Sequence, residues 1–199
     1  MEQYRRLGAI ALMIGWLLVT ALGYWLYQDK VTRPYTTIDS PIGHGELKRH
    51  LESAWTTLPG QGEAFSSGPT LIHFSTPQCH CDQQSRQHVS DLYDIFDGTA
   101  LTLVQATQSY DATSTAMPRA QTIALPELWA IVPAVPSAAL FDASGTLLYF
   151  GPYSSGPICG AGINFVEDLL TRLDKGQPPS PWINDMAVGC FCKTGTYST

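Results

Sequence analysis

The chain has 199 residues, 44% of them apolar, and a formal net charge of −6, which leaves room for one membrane segment and one domain but not for two large domains. The acidic balance and the lack of clustered Lys and Arg argue against nucleic acid as a partner, because a phosphate backbone calls for a basic surface. No glycine-rich phosphate loop, His-Glu-x-x-His or nucleophile elbow is present.

From Leu7 to Tyr27 the chain carries 21 consecutive uncharged residues. At about 1.5 Å rise per residue, a helix of that length crosses the roughly 30 Å hydrocarbon layer. Arg5 and Arg6 precede it. Positive-inside reasoning therefore predicts a cytoplasmic N-terminus over residues 1–6, an anchor over 7–27 and export of everything beyond. Trp25 and Tyr27 suit an interfacial aromatic belt. The rival is a cleaved signal peptide: Ala21-Leu22-Gly23 resembles a small-x-small cleavage site, but Tyr24-Trp25-Leu26-Tyr27 follows where a signal peptide turns polar. The expected location is the bacterial inner membrane, single-pass, with the C-terminal domain in the periplasm.

Residues 28–45, with Pro34, Pro41, Gly43 and Gly45, read as a tether. Leu47, Leu51, Ala54, Trp55 and Leu58 follow helical spacing, so a helix is predicted over 46–58. Thr70 to Phe74 is a short β-prone run of the kind buried on both sheet faces. A helix is predicted from Cys79 to about Phe96, polar at first, then carrying Val89, Leu92, Tyr93 and Phe96 on one face. Leu101 to Ala106 reads as a second strand, Thr107 to Thr115 as a loop, and Leu125 to Val132 as a short helix. Ser137 to Asp142 and Leu147 to Gly151 form a predicted hairpin around Ala143-Ser144-Gly145-Thr146. Val166, Leu169, Leu170 and Leu173 mark a last helix, which Gly160-Ala161-Gly162 opens. Residues 175–199 form a Pro- and Gly-containing tail with Trp182 and two cysteines. The order implies a mixed central sheet flanked by helices.

The five cysteines, Cys79, Cys81, Cys159, Cys190 and Cys192, all follow the anchor, in a compartment where disulfides persist. The element order, with cysteines where the first strand meets its helix, resembles the thioredoxin fold. Phe74-Ser75-Thr76-Pro77-Gln78-Cys79 resembles that family's Phe-Trp-Ala-x-Trp-Cys, and Val132-Pro133-Ala134-Val135-Pro136-Ser137 resembles its hydrophobic-Pro-strand segment. The resemblance covers residues 46–174 and implies an α/β thioredoxin-like domain in which Pro136 is cis, faces the cysteine motif and lies beside the edge that holds substrate, with Cys79 as nucleophile. The chain departs from the family at the motif, which is Cys79-His80-Cys81 where the family has Cys-x-x-Cys. His80 keeps the place, directly before the second cysteine, that His often holds in periplasmic and endoplasmic-reticulum relatives.

A thiolate at a helix N-terminus is stabilised by unpaired N–H groups, and a protonated His80 adds a charge of the same benefit. Cys79 would then attack a substrate disulfide and Cys81 would resolve the mixed disulfide. A Cys79–Cys81 bond closes a small ring, and strain makes such a bond easier to reduce, which suits an oxidising or isomerising pair. The alternative is that Cys79 and Cys81 pair elsewhere, for example with Cys190 and Cys192, as a staple. Cys190-Phe191-Cys192 is either a relay to the first pair or a clamp on the tail. Cys159 is either a third participant or a buried small residue. The same thiols, Cys79, Cys81, Cys190 and Cys192, with His80, could instead hold a soft metal, copper above all, since the one-residue spacing is unlike structural zinc sites. His73 reads as a hydrogen-bonded core histidine, and His44, His50 and His88 as surface or tether residues. Tyr149, Phe150 and Tyr153 pack the sheet or line a groove. Three functions follow: a membrane-anchored thiol–disulfide oxidoreductase or isomerase acting on protein thiols and disulfides, a copper-binding or copper-delivery module, or a non-catalytic interaction domain held by disulfides.

Overall fold

The computed structural model describes residues 2–36, 43–56, 68–96, 101–108, 117, 120–156, 162–177 and 179–194. Helix α1 (Glu2–Val31) is the one described helix long and apolar enough to cross a membrane. Within its span Gln3–Tyr27, an 18-residue window has mean hydropathy 2.0, and none of that window is buried. Apolar side chains on every face, among them Trp16, Leu18, Leu22 and Trp25, are exposed, which is a liability in water and a match to lipid.

The body is a mixed α/β fold around a six-stranded sheet. Strands β2 (Thr70–Phe74), β3 (Thr102–Thr107), β4 (Gln121–Ala124), β6 (Ser137–Phe141), β7 (Leu147–Gly151) and β8 (Trp182–Ile183) lie in the order β4-β3-β2-β6-β7-β8. β2 runs parallel to β3 with Phe74 opposite Ala106, and antiparallel to β6 with Phe74 opposite Ser137. β6 and β7 form the predicted hairpin. Asp142 Oδ1 accepts from Ser144 N (2.8 Å) and Thr146 N (2.9 Å) to set the turn. Gly145 there has φ +83° and sits against the Trp55 ring, so both conformation and space demand glycine.

Successive residues of a strand face opposite ways, and the sheet carries a core on each side. Ile72, Phe74, Val104, Phe141 and Phe150 face α2 (His44–Trp55), α4 (Pro126–Trp129) and Phe191. Leu71, Leu103, Leu140 and Tyr149 face the later half of α3 (His80–Ile95) and α5 (Phe165–Asp174). Val89 and Leu92 of α3, with Val166, Leu169 and Leu170 of α5, supply that second layer.

Three features differ from the sequence expectations. β4 was not expected, because four residues with Gln121 and Thr122 exposed give no alternating apolar signal. The segment read as a tether contributes β1 (Arg33–Pro34), paired with β9 (Val188–Gly189), and the fully buried Tyr35. The tail folds onto the body: β8 extends the main sheet beside β7, and β10 (Cys192–Lys193) pairs with β5 (Ala134–Val135). The Ser/Thr-rich loop lies mostly outside the described residues.

Candidate functional site: two nested disulfides at a helix start

The sheet end where β2 gives way to α3 meets the cis Val135–Pro136 bond, the conformation implied by the family resemblance. Cys79 caps α3 in extended conformation, and Cys81 lies in its first turn. Residues two apart near a helix start do not face one another, and Cys79 and Cys81 are not bonded to each other. Instead Cys79 is bonded to Cys192 (Cα–Cα 5.8 Å) and Cys81 to Cys190 (Cα–Cα 5.7 Å). The tail runs across the motif so that one Cys-x-Cys lies on the other, which is the staple pairing left open by the sequence.

The two bonds differ in surroundings. Cys79 is fully buried, Cys192 is 7% exposed, and Cys79 Sγ lies 3.6 Å from the Val135 carbonyl oxygen. The residue expected to be the nucleophile is therefore behind the surface. The Cys81–Cys190 bond borders a cleft lined also by Pro136, Ser85, Tyr153 and Ser154. The exposed His80 stands over it, with Nε2 3.5 Å from Cys81 Sγ and 3.7 Å from Cys190 Sγ. The tail is held in place by Cys190 N donating to Gly156 O (3.2 Å) and by Thr194 Oγ1 donating to Val132 O (2.6 Å).

A buried polar chain runs beneath the cleft. The Tyr153 hydroxyl lies 3.0 Å from His73 Nδ1, and His73 Nε2 lies 3.7 Å from Asp82 Oδ1. Asp82 Oδ2 in turn accepts from Arg86 Nε (3.2 Å) and Nη2 (3.0 Å). His73 is thus a core histidine, as its strand position suggested. Asp82 was missed by the sequence reading, although an acid three residues after a cap is a helix-start signal. His88, expected at the surface, is half-buried against Tyr153, and burial pushes its pKa down while Glu167 and Asp91 pull the other way. His44 pairs with Asp185 at 2.7 Å. Tyr149 and Phe150 are buried in the sheet, whereas Tyr153 reaches the cleft. Cys159, Gly160 and Ala161 fall outside the described residues.

Two sets of potential ligand atoms are each grouped within 4.8 Å: the sulfurs of Cys79, Cys81 and Cys192, and His80 with Cys81 and Cys190. Both sets require reduction before they can hold an ion, because a metal takes thiolate and not disulfide sulfur.

Residues 49–194 match the family described as Domain of unknown function (DUF6436), and the chain belongs to that family. The matched region includes the four bonded cysteines, His80, Pro136 and the folded part of the tail. No curated protein matches the chain. Among solved structures, a hypothetical protein (SMc02350) from Sinorhizobium meliloti 1021 is similar at TM-score 0.48 and 16% identity, covering 66% of this chain and 81% of that one. An uncharacterized conserved protein from Geobacillus kaustophilus is similar at TM-score 0.47 and 15% identity, covering 64% and 77%.

Proposed function

We propose that this member of the DUF6436 family is a membrane-anchored thiol–disulfide exchange domain, thioredoxin-like in architecture, whose entry point is the Cys81–Cys190 bond. The observation that carries the reading is the exposed His80 with Nε2 within 3.7 Å of both sulfurs of a bond that borders a small cleft beside Pro136. The architecture supports it: a central strand with a parallel neighbour, an antiparallel strand entered through a cis proline, and cysteines opening the following helix. Helix α1, with Arg5 and Arg6 near its N-terminal end ahead of the apolar run, supports an inner-membrane anchor and a periplasmic domain.

In the exchange, a protein thiolate attacks Cys190 Sγ and the Cys81–Cys190 bond breaks. Cys81 leaves as a thiolate, which the start of α3 and a donor N–H of the His80 ring stabilise. A second thiol of the same protein attacks the mixed disulfide, taking a disulfide away and leaving Cys81 and Cys190 reduced by two electrons. The reverse sequence reduces a substrate disulfide, and a single attack and return isomerises one. The test is exchange of the full chain with a glutathione redox couple. Exchange persists in Cys79→Ser/Cys192→Ser and is lost in Cys81→Ser/Cys190→Ser; retention in the latter pair sinks the assignment.

A second reading rests on the clustering of the Cys79, Cys81 and Cys192 sulfurs within 4.8 Å. Once reduced, these are three soft ligands at a spacing suited to copper(I). Stoichiometric copper(I) on the anaerobically reduced chain, lost in Cys81→Ser, favours this reading; weak binding indifferent to that substitution removes it.

A further inference from the structure

The proposed exchange accounts for the Cys81–Cys190 bond and leaves the second disulfide without a role. Cys79 is fully buried and Cys192 nearly so, so a folded protein substrate does not reach either sulfur. One side chain belongs to both sulfur clusters: Cys81 is bonded to Cys190, and its Sγ lies within 4.8 Å of both Cys79 Sγ and Cys192 Sγ. Released from Cys190, the Cys81 thiolate stands within 4.8 Å of both sulfurs of an intact disulfide.

We propose that the two disulfides form an internal relay, with Cys81 passing electrons from the outer bond to the inner one. The inference rests on the exchange reading for its first step only. A substrate dithiol reduces Cys81–Cys190 and leaves as a disulfide, having given up two electrons and two protons. The Cys81 thiolate then attacks Cys192 Sγ; the Cys81–Cys192 bond forms, the Cys79–Cys192 bond breaks, and Cys79 departs as the thiolate. Attack on this sulfur is favoured because Cys79 caps α3, where a leaving thiolate is stabilised. It also avoids the Cys79–Cys81 ring. The proton released by Cys81 goes to Cys79, whose thiol can donate to the Val135 carbonyl 3.6 Å away. Finally the Cys190 thiolate attacks Cys81 Sγ, re-forming Cys81–Cys190 and freeing Cys192.

The sum of these steps conserves every sulfur and electron. The outer disulfide is restored, the electron pair rests on Cys79 and Cys192, and a second substrate dithiol can be oxidised. The domain accepts four electrons through the one bond with a partly accessible sulfur, that of Cys190, and the buried pair is a store reached only from within.

The test is the full-length Cys190→Ser chain, in which Cys81 is free beside the inner disulfide. The protein is acid-quenched, alkylated and mapped by tandem mass spectrometry. The relay gives a Cys81–Cys192 bond and label shared between Cys81 and Cys79. Label confined to Cys81, with Cys79–Cys192 intact, overturns it. Cys81→Ser, which frees Cys190, keeps Cys79–Cys192 unlabelled; scrambling there also overturns the assignment to Cys81. If Cys190→Ser does not fold, the wild-type chain treated with one equivalent of a phosphine reductant gives the same readout: free Cys79 and Cys192 with Cys81–Cys190 restored support the relay, and free Cys81 and Cys190 alone refute it. Wild-type exchange with glutathione is scored separately, so failure of the relay and failure of the exchange reading are told apart.

Discussion

The Tyr35 hydroxyl lies 2.8 Å from Ser137 Oγ, joining the segment just beyond the N-terminal apolar helix to the residue after the cis proline across 102 positions of sequence. Ser137 Oγ also donates to the Ala134 carbonyl, so the contact braces the turn that borders the disulfide site. Burial holds the Tyr35 pKa well above the usual phenol range, against the opposing pull of the Ser137 hydrogen bond. Tyr35→Phe should cost about 1 kcal/mol near neutral pH, the worth of one buried hydrogen bond. Above pH ~10 the unfolded tyrosine ionises and the folded one does not, so the unfolded chain binds fewer protons and wild-type stability falls. The gap between wild type and Tyr35→Phe should therefore narrow between pH 9 and 11 as measured by chemical unfolding; a constant gap contradicts this account.

The nested disulfides predict a non-additive stability pattern. Either bond alone closes a loop with sequence separation 113 or 109, which is worth about 5 kcal/mol of chain entropy. With one in place the other closes only a small ring, worth about 2 kcal/mol. Each paired removal, Cys79→Ser/Cys192→Ser or Cys81→Ser/Cys190→Ser, should thus cost about 2 kcal/mol, and removal of all four about 7. This redundancy lets the outer bond open while the tail stays in place. A four-cysteine variant that loses only the sum of the two paired removals in denaturant titrations would speak against it.

Asp82 is almost wholly buried, and its paired Arg86 side chain is 25% exposed. Arg86→Ala leaves a buried carboxylate uncompensated and should cost about 3 kcal/mol, whereas Asp82→Asn leaves a cation that reaches water and should cost less. Thermal unfolding of the two variants gives the order directly, and a larger loss for Asp82→Asn refutes the argument.

His80→Ala should slow exchange with glutathione about three- to fivefold, as expected for losing one favourable interaction beside a leaving thiolate at a helix start. Equal rates in the two proteins would remove His80 from the site.

Much of the frame was legible in the sequence because its elements are long or strongly patterned. Leu7–Tyr27 is apolar on every side, Thr70–Phe74 is a compact β-prone run, and Val166, Leu169 and Leu170 repeat at helical spacing. Gln121–Ala124, Trp182–Ile183 and Cys192–Lys193 were not legible, since strands of two to four residues are specified by their neighbours rather than by their own pattern. Cys79, His80, Cys81, Pro136, Cys190 and Cys192 were all singled out, yet spacing alone leaves cysteine connectivity open. The tail's path, set by the pairing of Cys192 with Val135, decides it. The Tyr153–His73–Asp82–Arg86 chain escaped notice because its members come from three distant segments.

The most direct test of the exchange account is a redox titration of the full-length protein, counting thiols by alkylation while near-ultraviolet circular dichroism follows the fold. The account predicts that two thiols from the nested pairs appear at moderate glutathione potentials while the tertiary signal is unchanged. Thiols from these pairs that appear only together with loss of the tertiary signal would contradict it, and would make both disulfides staples.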